Sequence, residues 1–322
     1  MRILCDIGGT HIRAGLLQDG KILSPQKFEV AGFASVEAAL LHYLAETGLA
    51  AEPCSVAISC AANNDGNGIY HFGNNPHLVI DPAAMNDHGW SVECTVNDFS
   101  ASAWGVAALD EQGLQTIRSG REDETEMLPR AILGPGTGLG LAYILPLAKG
   151  GVHVQLTHGG HMLAPVLSDE HFLMAELVRR NKGDGHTVIP ENFCSGRGLP
   201  LLYNAVCDAY GYDPVHTTPA NMLDNPQDPA VRETLRLFHE FLGLFAHLVV
   251  VTGNAYGGLY LDGGVLHHLR TRHLFDADTF LGFMTLNPVA SVKRSLDQCP
   301  VHLVLDPYIA LRGLQVMMEQ DS

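Results

Sequence analysis

Asp6-Ile7-Gly8-Gly9-Thr10 sets a carboxylate, two glycines and a hydroxyl in five consecutive residues at the end of a short apolar run. Glycine has no Cβ, so such a turn can lay bare backbone N–H groups against an anion, with Thr10 Oγ beside it and Asp6 within water-mediated reach of a divalent cation. A second segment repeats the pattern: Gly134-Pro135-Gly136-Thr137-Gly138-Leu139-Gly140, between the apolar runs Ala131–Leu133 and Leu141–Ile144. Either turn alone also reads as a plain glycine hairpin. Together they point to a polyphosphate gripped by two facing cradles. The second turn lacks lysine and returns as a strand instead of opening a helix, which argues against a Walker-type loop.

Gly263-Gly264, after the apolar Leu259–Leu261, is a third glycine turn, suited to close approach of a nucleotide base and ribose or simply to a reversal of the chain. Asn97-Asp98-Phe99 lies between the two phosphate-type turns. At a strand terminus an aspartate can accept the proton of an attacking alcohol, which makes Asp98 the candidate general base. Asn and Asp are also favoured helix N-caps, and the local sequence carries both readings.

These residues require elements to hold them. Arg2–Asp6, Ile12–Leu17 and Lys21–Phe28, with a turn at Asp19-Gly20, read as an antiparallel meander. Helical spacing over Ser35–Glu46 and an apolar strand at Cys54–Cys60 give a β-β-β-α-β order. Asn63–His77, dense in Asn, Gly, His and Asp, is expected to be a loop excursion that packs little of its own surface and carries ligand contacts. Ser91–Val96 reads as a strand and Ser100–Leu109 as an Ala-rich helix. After the second turn come a strand at His153–Leu156, a loop at His158–His161, and helices near Asp169–Arg180, Gly198–Tyr210 and Ala230–Val251. A strand and turn over Gly257–Val265 and a C-terminal helix at Pro307–Met318 complete the pattern. The charged run Arg121–Glu126 reads as a solvated loop at a domain boundary.

At 322 residues, the chain is long enough for two domains. Its 35 acidic against 19 basic residues, a formal net charge of −16, argue against nucleic acid as a partner but leave room for a nucleotide, since turn amides and helix N-termini supply positive potential locally. Seven scattered cysteines without C-x-x-C spacing suit a reducing, cytoplasmic setting as core thiols. Phe241–Val251, the longest apolar stretch, falls short of the roughly 18 residues of a membrane span and reads as a buried helix. No membrane association and no secretion are expected.

The joint pattern resembles the bacterial glucokinase family across nearly the whole chain, on Asp6–Thr10, Asn97-Asp98-Phe99, Leu133–Gly140, Gly159-Gly160-His161, Glu191 with Ser195-Gly196, and Gly263-Gly264. The resemblance implies an α/β fold of two ribonuclease-H-like, actin/hexokinase-type domains, with mixed sheets, flanking helices and an interdomain cleft. One domain would span 1–110 plus 306–322 and the other 111–305. It implies ATP and Mg2+ as cofactors and a hexose, glucose first, phosphorylated at its 6-hydroxyl. Asp98 would be the base, with Asn97, His158, His161, Glu191 and Asn75 on the sugar. Asp6, Ile7, Gly8, Gly9, Thr10, Gly134, Gly136, Thr137, Gly138, Gly263 and Gly264 would hold the nucleotide, and Asp6 the metal. A homodimer is a further implication.

One departure stands out. Family members usually read Gly-Glu-Gly-Gly-His where this chain has Thr157-His158-Gly159-Gly160-His161. A carboxylate accepts several hydrogen bonds and a neutral imidazole only one, so weaker glucose affinity, another hexose, or a sugar- or nucleotide-binding regulator without turnover are the alternatives. Zinc on His158, His161 and Cys194 is disfavoured, because the Cys-rich cluster of related zinc-bearing sugar kinases is absent.

Overall fold

The computed structural model describes residues 1–49, 54–73, 75–120 and 127–320. The charged run at 121–126, read as a domain boundary, lies outside the described residues. The chain divides into two compact units, Met1–Asp110 with Asp306–Ser322, and Glu111–Leu305.

The first unit is built on β1 (Arg2–Ile7), β2 (His11–Gln18), β3 (Lys21–Glu29), β4 (Cys54–Cys60) and, after a small ladder of β5 (Asn63–Asn64), β6 (Tyr70–His71) and β7 (Val79–Ile80), β8 (Trp90–Asn97). Its main sheet runs in the order β3-β2-β1-β4-β8; β1 is antiparallel to β2 and parallel to β4, and β4 is parallel to β8. A strand covered on both faces must be apolar at every position. β1 meets that demand over Ile3–Cys5 and at Ile7, with the buried Asp6 as the exception: Ile3, Cys5 and Ile7 enter the cluster under α1 (Val36–Glu46), while Leu4, pointing the opposite way, packs with Ala57, Ala101, Leu311 and Leu314. Ser35 starts α1 by accepting the Ala38 N–H.

That opposite face is covered by α3 (Asp98–Ala107) and the C-terminal helix Ile309–Gln320. Their backbones touch. A Cβ at Gly313 would stand 1.7 Å from the Ala101 carbonyl oxygen, and one at Gly105 2.1 Å from that of Ile309.

The polar excursion Asn63–His77 buries little of itself, as expected, with Phe72 alone buried among its described residues, but it is not all loop: Asn63–Asn64 and Tyr70–His71 pair with Val79–Ile80 in the β5-β6-β7 ladder, and Phe72 shares a core with Leu78, Ile80 and Met85 of α2 (Pro82–Asp87). Two-residue strands in a polar run leave almost no period-two signal, and cross-strand pairing supplies what the local pattern lacks.

The second unit carries a six-stranded sheet of β9 (Leu114–Arg118), β10 (Arg130–Pro135), β11 (Leu139–Pro146), β12 (Val152–Leu156), β13 (Gly258–Leu261) and β14 (Val301–Val304), in the order β12-β11-β10-β13-β14-β9. It too opens with an antiparallel hairpin, β10-β11, whose first strand then pairs in parallel with β13. The helices are α4 (Asp169–Lys182), α5 (Gly198–Tyr210), α6 (Pro219–Leu223), α7 (Pro229–Thr252), α8 (Gly264–Thr271), α9 (Ala277–Met284) and α10 (Ala290–Gln298). α7 is long and apolar enough to cross a membrane, but 78% of its apolar window is buried inside the protein. It is the core helix of this unit, with Phe241 stacked on Phe193 at 4.1 Å. None of the seven cysteines forms a disulfide, and six are buried. Burial raises the Cys5 and Cys194 thiols and pushes that of Cys299 up to about 12, so they act as small apolar core groups.

His239, buried in α7, gives a pH-dependent stability. Its Nδ1 lies 2.6 Å from the Leu235 carbonyl and its Nε2 accepts the Asp276 N–H at 3.1 Å. These partners assign the neutral tautomer with the proton on Nδ1. Burial holds the ring below the ordinary histidine value, outweighing the opposing pull of the Leu235 carbonyl and the Asp276 charge. The unfolded chain therefore gains the proton first as pH falls below about 6.5, and stability drops there with a slope of up to about 1.4 kcal/mol per pH unit. Thermal unfolding between neutral and mildly acidic pH is expected to show a shallower decline for His239→Gln than for wild type. Equal slopes would assign the titration to other groups.

Candidate active site

In the first unit the C-terminal ends of three parallel strands bring the expected residues to one sheet edge. Ile7 pairs with Cys60, and Cys60 with Asn97, so the turn after β1 and Asp98 after β8 leave the same edge, two strands apart. Ligands collect at this edge of parallel sheets because the strand ends and helix N-termini face it. Burial, with added repulsion from the Asp98 and Asp6 charges, pushes the Cys60 thiol between them up to about 12.

Asn97 and Asp98 have separate places. The Asn97 side-chain oxygen caps α3, accepting the Phe99 and Ser100 N–H groups at 3.0 and 3.2 Å, which leaves its amide NH2 as the group for a ligand. Asp98 is the first helical residue, half-buried, and its Oδ1 accepts from Phe99 N–H at 2.9 Å. Asn75 donates from Nδ2 to the Gly9 carbonyl at 2.9 Å, tying the excursion to the turn.

Asp6 is only 4% exposed. Its Oδ2 receives Arg13 Nη1 at 2.9 Å and its Oδ1 the Ser59 hydroxyl at 2.6 Å. Both partners are cross-strand neighbours, Arg13 on β2 and Ser59 on β4. Neither was singled out from the sequence. Counting across the hairpin would have found Arg13; Ser59 needed the parallel register. The enclosed carboxylate suits a hydrated cation reached through water, not one bound directly. Among the described residues no group of three His, Cys, Asp or Glu side chains could hold a metal alone, and a nucleotide-borne Mg2+ needs none.

The expected cradles are narrower than the sequence suggested. Ile7 and Gly134 lie within β1 and β10, and Gly134 is buried opposite Gly140 in the ladder. Gly8 N–H closes its hairpin on the His11 carbonyl, and Gly136 N–H bonds to that of Gly138, both at 2.9 Å. Among the described residues the amides left for an anion are those of Gly9 and Thr10 in one turn, and Thr137 and Gly138 in the other. Hairpin closure consumes the flanking donors.

In the second unit the other expected residues surround the β10-β11 turn. A Cβ at Gly160 would lie 2.1 Å from the Leu139 carbonyl oxygen, so only glycine lets the Gly159–His161 turn rest on β11. The exposed rings of His158 and His161 stack at 6.1 Å, and His161 Nε2 is 3.5 Å from Glu191 Oε2. Gly196 N–H donates to the Gly136 carbonyl at 2.8 Å. Gly263 has φ 113, and a Cβ there would stand 2.5 Å from the Pro135 oxygen, so the third glycine turn lies against the second. Cys194 is buried, its Sγ toward the Phe238 carbonyl.

The sequence model of the glucokinase family matches residues 3–321. A glucokinase from Pseudomonas paraeruginosa is 33% identical, over 99% of this chain and 93% of its own length. One from Brucella abortus is 31% identical over 98% and 90%. Among solved structures, glucokinase from an Antarctic psychrotroph superimposes with a TM-score of 0.78 at 24% identity, over 99% and 98% of the two chains. A glucokinase of the ROK family from Streptomyces griseus, in complex with glucose and AMPPNP, gives 0.59 at 20% identity over 99% of each chain. The expected α/β fold of the actin and hexokinase type is thus the fold found, and the chain belongs to the glucokinase family of ATP-dependent hexose kinases.

Proposed function

We propose that this chain transfers the terminal phosphoryl group of ATP to the 6-hydroxyl of glucose, with Asp98 as the base. The observation that carries the reading is the sheet edge of the first unit. There a glycine turn with two uncommitted amides and an oriented aspartate emerge two strands apart. Asp98 takes the hydroxyl proton as the sugar oxygen bonds to phosphorus and the bond to the departing ADP oxygen breaks. Gly9, Thr10, Thr137 and Gly138 N–H groups stabilise charge on the phosphates, and the Gly263-Gly264 turn receives the nucleoside. Asp6 would hold Mg2+ through water, and the ion would supply charge neutralisation at the phosphates. Asn97 donates to the sugar through its amide, and His161 and Glu191 meet other hydroxyls. Most of the rate enhancement is positioning and electrostatics.

The test is protein with Mg-ATP and a panel of hexoses, read for sugar phosphate and ADP. Glucose 6-phosphate is the expected product; no hexose-dependent ADP from any sugar would leave the binding-regulator reading, which His158 favours. His158→Glu restores a side chain able to accept several hydrogen bonds, and a bond to a charged group is worth about 1.5–3 kcal/mol. The KM for glucose is therefore expected to fall by on the order of tenfold in this variant. An unchanged sugar profile would remove His158 from recognition.

A further inference from the structure

We propose that Glu191, besides meeting the sugar, is a positioning residue for the second phosphate turn, so that hexose and nucleotide affinities are coupled through one carboxylate. The inference rests on the sugar-site reading above. Glu191 Oε2 accepts the Leu139 N–H at 3.0 Å, and the same oxygen stands 3.5 Å from His161 Nε2. The side chain lies directly on the turn: a Cβ at Gly138 would be 2.6 Å from Oε2 and 3.3 Å from Cδ.

Two bonds tie the turn to the segment 191–196. One is main chain, Gly196 N–H to the Gly136 carbonyl at 2.8 Å, and survives any side-chain change. The other depends on the carboxylate. Because Leu139 N–H is spent on Glu191 and Gly136 N–H on Gly138, the carboxylate decides that the outward amides are those of Thr137 and Gly138. The Glu191 backbone is itself fixed, with Ser195 Oγ donating to its carbonyl at 2.7 Å and Gly198 admitting that carbonyl where a Cβ would stand 2.4 Å away. The carboxylate therefore has little freedom. A group that holds the turn and faces the sugar must transmit changes both ways, since coupling between two ligands is reciprocal.

Calorimetry with Mg-ADP in the absence of sugar, and with glucose in the absence of nucleotide, reads each affinity alone. Glu191→Ala leaves the Leu139 N–H without its acceptor and is expected to weaken Mg-ADP binding by about tenfold or more. Glu191→Gln keeps a carbonyl oxygen for that N–H, so Mg-ADP affinity stays near wild type while glucose affinity falls; a side chain that served the sugar alone would show no such split. Gly138→Ala touches no sugar hydroxyl yet displaces the carboxylate, and is expected to weaken glucose binding without nucleotide present. Wild-type Mg-ADP affinity in Glu191→Ala, or wild-type glucose affinity in Gly138→Ala, overturns the coupling. If Glu191→Ala does not fold, Gly138→Ala decides alone. Wild-type protein that phosphorylates glucose while its variants show none of these shifts loses only the coupling, whereas wild-type protein that binds no hexose loses the site reading itself.

Discussion

Asp98→Asn is expected to lower kcat for glucose by on the order of 10²–10⁴, the usual contribution of a positioned general base, with KM little changed. The structure makes this variant clean. Asn97, not Asp98, caps α3, so the helix keeps its cap when Asp98 is replaced. Asparagine also retains an oxygen for the Phe99 N–H that now orients Oδ1 at 2.9 Å. What disappears is basicity. A fall in sugar-dependent ADP release with an unshifted melting temperature is the signature expected. Near-normal turnover would remove Asp98 from the chemistry, and a melting temperature that fell with activity would return it to a structural role.

Gly313→Ala is expected to cost about 3 kcal/mol or more of stability, at the upper end of overpacking effects. A tight glycine that faces a flexible side chain is relieved when that side chain swings away. This one faces backbone: the added Cβ would meet the Ala101 oxygen at 1.7 Å, the Ala101 carbon at 2.6 Å and the Gly105 nitrogen at 2.9 Å. No rotamer relieves that contact, so the C-terminal helix must lift from α3, which carries Asp98 at its first position. Activity should therefore fall together with the thermal midpoint. Gly282, on α9 with nothing within 4 Å of its would-be Cβ, is the control; alanine there is expected to be neutral or to add roughly 0.5–1 kcal/mol through helix propensity. Equal midpoints for the two variants would show that the helices separate without cost.

The elements that the sequence states most clearly are those whose signal is local. Both glycine hairpins, the Ser35-capped helix and α4, α5 and α7 of the second unit appear close to their expected bounds, because turn glycines, caps and apolar spacing act over a few residues. β9, β14, α2, α6, α8, α9 and α10 carry too little local signal to be read, being short and patterned by neighbours distant in sequence. At the site, residue types pointed to Asp98, Asn97 and the glycine turns, but not to which amides remain available. Gly8 and Gly136 carry the right residue type, and their N–H groups close hairpins instead. That division follows from hydrogen-bond accounting in the folded backbone, which no single residue type announces.

Asp6 shows the boundary within one side chain. Its ion pair with Arg13 lies seven residues away across a hairpin whose turn the glycines dictate, so spacing alone implies it. Its bond to Ser59 spans 53 residues and exists only because β1 and β4 bury apolar faces in one parallel register, where a slip of one residue would turn every side chain to the other face. The Glu191 bond to Leu139 N–H, 52 residues apart, is of the same kind. Sequence by itself determined the chemical groups and the local turns that expose them. Tertiary packing decided which groups meet, because contacts between distant segments are selected by the burial of whole faces and not by the residues that finally touch.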